Sequence, residues 1–250
     1  MKLSEARILL TGASGGIGSA LAECLQDEGA DLLLHANRHV SALHGSATVQ
    51  GDLSTPEGIA NVVSAAVACD INVLINNCGI NQFSAFEDAD IERLVSVNVT
   101  GPMVLTQKLL PHLKACPAAT ILNVGSTFGQ IGFPGYVTYC ATKHAIKGFS
   151  EALRRELADS SVTVLHVSPR ATNTAMNSAQ VNDLNLALGT GSDEPDYLAR
   201  KIVRALATGK DRLQMGGPEK AQVKLNSLFP GIVDAVLARQ LPTIRDHYTR

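Results

Sequence analysis

The 250-residue sequence lacks several features that mark large classes of proteins. It has no run of lysine and arginine, and its net charge of −2 creates no overall field that would attract nucleic acid. The apolar run near the N-terminus is far too short for the core of a signal peptide, and no stretch of about 18 uninterrupted apolar residues follows it. We therefore expect a cytoplasmic protein that does not bind nucleic acid.

The five cysteines show no C-x-x-C spacing and are odd in number, which is typical of reduced thiols in a cytoplasm. We assign no disulfide. His35, His39 and His44 lie close together in what reads as a short polar connection, but they lack the carboxylates or cysteines of a metal site. The sequence therefore predicts no bound metal.

The composition present is that of a globular protein, with 45% hydrophobic and 18% charged residues. This length can bury a full core and lies at the upper end of single-domain size. We expect one domain over residues 1–250, with a divergent helical segment at about 219–250. Apolar strands such as DLLLHA and ATILNVGS alternate with helical segments, and they read as continuous apolar runs. This pattern predicts an α/β fold, a doubly wound parallel sheet of Rossmann type with helices on both faces.

Polar motifs follow the predicted strands, at the edge of the sheet where ligands bind in such folds. The first strand runs into TGASGGIG, in which Gly12, Gly16 and Gly18 allow a tight turn, a close approach to a pyrophosphate and packing of a helix on the sheet. Asp52 follows the third strand and NNCG the fourth. This arrangement predicts a dinucleotide site.

A tyrosine and a lysine in GYVTYCATKHA are candidates for proton transfer. On a helix Tyr139 and Lys143 are i and i+4 neighbours, whereas the residue four beyond Tyr136 is Cys140. A nearby cation lowers the pKa of a phenol from about 10 by roughly 1 to 3 units, towards neutrality. Ser126 ends the fifth predicted strand, thirteen residues before Tyr139, so the connection can bring the two hydroxyls together.

These motifs make the sequence resemble the short-chain dehydrogenase/reductase family over roughly residues 5 to 175. The motifs are TGASGGIG, NNCG for the family's NNAG, Asn98 in SVNVTG, Ser126, and Tyr139-x-x-x-Lys143. The resemblance implies that Tyr139 donates or accepts the proton and that Ser126 polarises the substrate carbonyl. Lys143 would lower the pKa of Tyr139 and hold the nicotinamide ribose, and Asn98 would keep a water in a proton relay. Tyr136 would be a wall of the substrate pocket or a structural residue.

The cofactor implied by the resemblance is a nicotinamide dinucleotide. Its expected contacts lie in the motifs and at the strand ends: Gly12, Ser14, Gly16, Ile17, Gly18, Asn37, Arg38, Asp52, Leu53, Asn77, Gly79, Tyr139, Lys143, Pro169, Thr172 and Thr174. The second strand ends LLLHANR, with no acid to bond the adenosine ribose but with a donor and a cation for a 2′-phosphate. This favours NADP(H) over NAD(H); the alternative is that Arg38 is only a solvated loop charge.

Two parts of the chain depart from the family pattern. After the sixth strand the family has Pro-Gly, whereas this chain reads SPRATNT, so Arg170 stands where the glycine is expected. The cation could narrow the cofactor site or approach a phosphate or an acidic substrate. The C-terminal part lacks the family's Val-Asp-Gly-Gly strand, so a tetramer built by that route is in doubt. Instead, apolar residues recur at mostly helical spacing from Glu219 to Gln240, which predicts docking on the domain or a partner, or contact with a membrane interface.

The function expected from these observations is that of an NADP-dependent oxidoreductase. It would reduce a ketone, aldehyde or 3-oxoacyl carbonyl to an alcohol, or catalyse the reverse. A non-catalytic cofactor-binding scaffold and an epimerase or dehydratase are the alternatives. Phe128, Gln130, Phe133 and Tyr136 are expected to shape a moderately apolar pocket. We also expect a homodimer or higher oligomer through the helices that carry Asn98 and Tyr139.

Overall fold

A parallel sheet forms the centre of the computed structural model, which describes residues 2–38 and 46–248. Within these residues the sheet has seven strands: β1 Arg7–Leu10, β2 Asp31–Ala36, β3 Ala47–Gln50, β4 Val73–Asn76, β5 Ala119–Val124, β6 Val162–Ser168 and β7 Arg212–Gln214. Their order is β3-β2-β1-β4-β5-β6-β7, and every adjacent pair is parallel. The predicted fold class is confirmed.

The strand order reverses between β1 and β4. The chain winds outwards from β1 through β2 to β3 and then returns to place β4 on the other side of β1. At such a reversal the connections leave in opposite directions and open a crevice beyond the carboxyl ends of the two strands. The Gly-rich turn and NNCG follow these two strands, so the topology places both motifs at the crevice.

Helices cover both faces of the sheet. Those described are α1 Gly16–Asp27, α2 Pro56–Ala68, α3 Ile91–Val95, α4 Gly101–Ala115, α5 Val137–Glu156, α6 Ala179–Ala187, α7 Pro195–Ala207, α8 Gly217–Leu228 and α9 Pro230–Tyr248. One core cluster contains Leu25 of α1 and Ile202 of α7, and the other contains Val62 of α2 and Leu109 of α4. Strands buried by both clusters need apolar side chains on both faces, which explains their continuous apolar runs.

Two features of the chain after β6 were not evident from the sequence pattern. The single apolar pattern from Glu219 to Gln240 is two helices, α8 and α9, and the break falls at Phe229. Pro230 follows and disfavours helical geometry at the residue before it, which is why the helix ends there. The sequence also gave no signal for β7, because three residues are too few to establish a strand pattern. No described helix is long and apolar enough to cross a membrane.

Candidate active site

The Gly-rich turn is held by close backbone packing. Gly12 has φ of 66°, and a Cβ there would lie 2.8 Å from the Cα of Cys78. A Cβ on Gly18 would clash with the carbonyl oxygen of Gly12, so the start of α1 packs directly on the turn. Ser14 and Gly16 are exposed at this end of α1, where backbone N–H groups attract a phosphate. These residues therefore fit the pyrophosphate of a dinucleotide, and Ile17 is half-buried beside them.

Thr11, which the sequence reading did not single out, joins this turn to NNCG. Its Oγ1 donates to the carbonyl of Ile75 at 3.1 Å and accepts from the backbone N–H groups of Asn77 and Cys78, each at 3.0 Å. The amide of Asn77 in turn donates to the carbonyls of Thr11 and Gly12. The two cofactor motifs are thus one hydrogen-bonded unit.

His35 lies in β2 and is buried, not in a polar connection as the sequence suggested. Its Nδ1 accepts from the Gly12 N–H at 3.3 Å, and its Nε2 donates to the carbonyl of Gly51 at 2.8 Å, a pairing that requires the neutral ring. Burial lowers the pKa of His35 and keeps that ring neutral. His39 and His44 lie outside the described residues. The described residues contain no group of three or more side chains that could hold a metal ion.

The residues expected near the adenosine ribose meet at the ends of β2 and β3. The Asp52 carboxylate accepts from the backbone N–H and the hydroxyl of Ser54, at 2.8 and 2.6 Å, and these bonds lower its pKa. The amide of Asn37 also reaches Asp52, at 3.4 Å, and Arg38 beside it is exposed. The side chain of Leu53 is buried in the core.

Asn98 lies in a π-helical turn, Ser96–Thr100, between α3 and α4. Such turns are frequent at functional sites. Its side-chain amide pairs with the backbone of Ile80, accepting from N–H and donating to C=O at 2.8 Å each, and it also donates to the hydroxyl of Thr142 at 3.2 Å. A Cβ on Gly79 would lie 3.2 Å from Asn98 Oδ1 and 3.5 Å from Lys143 Nζ, so the amide and the ammonium flank the same glycine.

Lys143 is buried on α5 beneath the crevice. Its Nζ donates to the carbonyl of Val124 at 3.2 Å and lies 5.6 Å from the centre of the Tyr139 ring. Burial lowers its pKa to about 8, since a buried ammonium loses its hydration. The lysine is therefore protonated at neutral pH but close to its titration range.

Tyr139 and Ser126 form the outer part of the same group. A hydrogen bond with Ser126 lowers the pKa of Tyr139, but burial outweighs it and raises the pKa to about 12. The expected lowering by Lys143 is therefore not seen in the structure. The hydroxyl of Ser126 also accepts from the Phe128 N–H at 3.1 Å, which fixes its side chain at the start of the turn Thr127–Gly129.

Aromatic rings surround Tyr139. The ring of Tyr136 is buried 5.9 Å from it, and the ring of Phe128 meets it edge-on at 6.3 Å. Phe133 stacks on Phe128 at 5.2 Å. The amide of Gln130, a residue expected in this pocket, donates to the hydroxyl of Ser168 and to the side-chain oxygen of Gln214.

Arg170, which stands where the family has a glycine, forms two ion pairs within the protein. Its guanidinium pairs with Asp193 at 2.6 Å and with Glu219 at 3.4 Å. It therefore engages two carboxylates of the protein rather than projecting freely towards a phosphate. The pair with Glu219 fastens the segment after β6 to the first turn of α8.

The same segment reaches the Gly-rich turn. A Cβ on Gly16 would lie 2.8 Å from Cγ2 of Thr174, so the two are in close contact. The carbonyl of Pro169 accepts from Thr127, and Thr172 is buried, with its hydroxyl donating to the carbonyl of Arg170 at 3.1 Å. The structure thus brings the predicted residues after β6 to the crevice, although Thr172 faces inwards.

Fold and site together define a class: a dinucleotide-binding α/β protein with a Ser, Tyr, Lys and Asn group beside its glycine-rich turn. Residues 6–185 match the family model described as short chain dehydrogenase. The chain belongs to the short-chain dehydrogenase/reductase family and is an NAD(P)-dependent oxidoreductase of that family.

Relatives and solved structures agree with this assignment. Nodulation protein G of a Rhizobium species is 34% identical over 195 residues, which cover 73% of this chain and 79% of that protein. Dehydrogenase/reductase SDR family member 7B of Bos taurus is 30% identical over 266 residues, covering 94% of this chain and 81% of that protein.

Two solved structures show both forms of the cofactor. A short chain dehydrogenase from Burkholderia cenocepacia in complex with NADP superposes with a TM-score of 0.83, at 24% identity over 95% of this chain and 99% of that one. A 3-ketoacyl-(acyl-carrier-protein) reductase from Brucella melitensis complexed with NADH has a TM-score of 0.78, at 26% identity over 87% and 99% of the two chains.

Proposed function

We propose that this protein reduces a carbonyl compound to an alcohol at the expense of NADPH. The observation that carries the proposal is the connected group of Asn98, Lys143, Tyr139 and Ser126, which lies beside the glycine-rich turn. A protein that only binds the cofactor has no need of all four residues. The same site can run the reaction in reverse when alcohol and oxidised cofactor are in excess.

The cofactor supplies the hydride, because no side chain can deliver one. The residues of the chain stabilise and then neutralise the negative charge that develops on the carbonyl oxygen. Ser126 donates a hydrogen bond to that oxygen. The O–H bond of Tyr139 breaks and its proton passes to the same oxygen, and the raised pKa of Tyr139 means that this proton is present at neutral pH.

Lys143 and Asn98 support the proton transfer from below. The ammonium of Lys143, near the Tyr139 ring, stabilises the phenolate that remains after the proton has left. Asn98, which is fixed by both backbone groups of Ile80, holds the proton path beside Lys143 in place. Asn98 and Lys143 both flank Gly79 of NNCG, which supports a proton path next to this cofactor motif.

The decisive experiment follows NADPH absorbance with a panel of ketones, aldehydes and acyl thioesters, using Tyr139→Phe to measure the background. We expect turnover that depends on Tyr139. Cofactor binding without turnover of any carbonyl would instead assign the chain to the scaffold proteins, and turnover of a substrate without net NADPH consumption would assign it to the epimerases or dehydratases.

The preference for NADPH is the second part of the proposal. Arg38 is exposed next to Asn37, where a 2′-phosphate would lie, and the Asp52 carboxylate is engaged by Ser54 and Asn37. Arg38→Ala should weaken NADPH binding at least several-fold and leave NADH binding unchanged, because the lost charge-assisted bond contacts only the 2′-phosphate. Equal losses for the two cofactors, or a native preference for NADH, would contradict this assignment.

The third part is a homodimer or higher oligomer through α4 and α5. A groove between these helices is lined by Met103, Val104, Leu110, Phe149 and Leu153. Met103 is exposed there, and Val137 is exposed at the start of α5. A second copy would cover these apolar side chains. Sedimentation at micromolar concentration tests this, and a monomer alone would contradict it.

The fourth part concerns the C-terminal hairpin formed by α8 and α9. Its inner face docks on the domain through buried Ile244 and through the bond from Asn226 to the carbonyl of Gln130. Its tip exposes four large apolar residues, Leu228, Phe229, Ile232 and Val236. These support a peripheral contact with a bilayer. Co-sedimentation with anionic vesicles, lost in Phe229→Ser, is the expected result, and no co-sedimentation would exclude the contact.

A further inference from the structure

The chain is poor in aromatic residues, yet most of them lie at one place. It has six phenylalanines, four tyrosines and no tryptophan. Six of these ten side chains form one connected group of rings, here called the aromatic cluster: Phe83, Phe128, Phe133, Tyr136, Tyr139 and Tyr248. Because Tyr139 belongs to the cluster, the surrounding rings decide which part of a substrate can lie next to its phenol.

The outermost ring comes from a distant part of the chain. Tyr248, at the end of α9, meets Phe83 edge-on with ring centres 5.6 Å apart. Both rings close over Gly135, which has φ of 81°: a Cβ there would clash with the Phe83 ring and lie 3.3 Å from Cδ1 of Tyr248. Phe83, Gly135 and Tyr248 are therefore packed against one another as a wall, and α9 holds the last part of it.

The aromatic cluster is an apolar surface. The other apolar side chains packed against its rings are Cys140 and Val181. Lys143 lies beneath Tyr139, with its Nζ directed to the carbonyl of Val124. Arg170, which the sequence suggested as a partner for an acidic substrate, is paired with two carboxylates. An anion placed against the rings would lose hydration that apolar side chains do not replace, which is costly.

We propose, on the basis of the function proposed above, that the substrate is an uncharged carbonyl compound with an aromatic or alicyclic ring next to the carbonyl carbon. The ring packs on the aromatic cluster while the oxygen meets Ser126 and Tyr139. Partly exposed Phe128 and Phe133 give it apolar surface close to the phenol. Tyr248 is a specificity-determining residue, since it forms the outer wall without reaching the reacting oxygen.

The first test compares four ketones with NADPH as the reductant. Acetophenone and cyclohexyl methyl ketone carry the ring, dihydroxyacetone is polar, and pyruvate is anionic. We expect kcat/KM for the two ring ketones to exceed that for the other two by roughly 100-fold, because the apolar ring leaves water only in the first pair. A higher kcat/KM for dihydroxyacetone or pyruvate would overturn the proposed substrate class.

The second test isolates Tyr248. Tyr248→Leu should raise KM for acetophenone by roughly 5- to 10-fold with kcat nearly unchanged, and Tyr248→Phe should restore the wild-type KM because the ring, not the hydroxyl, forms the wall. The matched control is Phe229→Leu, an aromatic residue of the same hairpin that lies outside the cluster, and it should leave KM unchanged. Equal effects of Tyr248→Leu and Phe229→Leu would show that Tyr248 has no role in specificity.

These outcomes can be separated from a failure of the function itself. If NADPH binds, as measured by its fluorescence, but no carbonyl compound in the panel is reduced, the proposed reductase activity is wrong and the substrate class falls with it. If polar compounds are reduced but ring ketones are not, the reductase activity holds and only the inference from the aromatic cluster is wrong.

Discussion

Arg170 and Asp193 form an ion pair with 2.6 Å between Nη2 and Oδ1, and the side chain of Asp193 is only 8% exposed. The backbone of Asp193 also pairs with Ala171 and Asn173, so the ion pair joins the two ends of the segment that includes α6. The cation thus takes a structural position where the family has a glycine. The ion pair connects the segment that contacts the glycine-rich turn to the segment that leads into α7.

Removing this cation should destabilise the fold strongly. Arg170→Met leaves the carboxylates of Asp193 and Glu219 without their partner, and breaking a buried pair in this way typically costs about 3–5 kcal/mol. The matched control is Arg154→Met, whose partner Asp211 is 66% exposed, and its loss should stay below about 1 kcal/mol. Urea unfolding measures both. Equal and small losses would show that Arg170 is not required to hold the segment.

A compensating change sharpens this test. Asp193→Asn in the Arg170→Met background removes one of the unpaired charges, so the double variant should recover part of the free energy of unfolding. Strictly additive losses would mean that the two side chains do not interact energetically, whatever their distance.

The variants Tyr139→Phe and Tyr136→Phe should differ clearly in the rate of the chemical step. Tyr139→Phe keeps the ring in the aromatic cluster but removes the transferable proton, so turnover should fall by roughly 10² to 10⁴-fold while NADPH binding survives. Tyr136→Phe should leave the chemical step nearly intact and alter at most the apparent substrate affinity. Single-turnover hydride transfer measures the chemical step apart from product release. Loss of that step in Tyr136→Phe alone would contradict the assignment of Tyr139.

Local sequence patterns were sufficient to predict six of the seven strands and the neighbours at the edge of the sheet. Strands with continuous apolar runs fix the parallel sheet, and the crevice then follows from strand order. The i, i+4 spacing of Tyr139 and Lys143 needs only a helix. Thr11 could have been found as well, because it is a polar side chain that directly ends β1 and must satisfy its hydroxyl there.

Other features could not be predicted, because they depend on contacts between distant segments. Nothing near Arg170 in the sequence indicates that Glu219 approaches it, and nothing near Phe83 indicates Tyr248. The raised pKa of Tyr139 has the same origin: spacing reveals its neighbouring cation, whereas desolvation depends on every segment that covers the phenol.

The buried charge of Lys143 should lower the free energy of unfolding by an amount that depends on pH. Its pKa in the folded protein is about 8, below the value of about 10.4 for a free lysine, so at pH 7 the fold holds a buried ammonium. Between these two pKa values the unfolded chain binds the additional proton, and stability rises with pH by as much as about 3 kcal/mol.

Lys143→Met should therefore be more stable than the wild type at pH 7 and lose this advantage towards pH 10.5, although turnover and cofactor affinity both fall. Urea unfolding at the two pH values measures the effect. Lys147→Met, one turn further along α5 and only half-buried, is the control and should show no such dependence. A Lys143 variant whose advantage is the same at both pH values would exclude the proposed titration.

His166 should make the fold sensitive to acid. It lies in β6 with both ring nitrogens buried and without a hydrogen-bond partner, and its ring packs against Gly125. Burial and the nearby cations Lys143, Lys147 and Arg212 lower its pKa to about 4, and Glu151 opposes them. The folded pKa lies below the unfolded value of about 6.5, so His166 lends stability above pH 6.5 that is lost as the pH falls towards 4. At pH 5 the loss should be about 2 kcal/mol relative to pH 7.

His166→Gln should remove this part of the acid sensitivity, whereas exposed His144→Gln should leave it in place. Urea unfolding at pH 5 and pH 7 gives the slope, and an unchanged slope in His166→Gln would show that the imidazole already titrates normally in the fold.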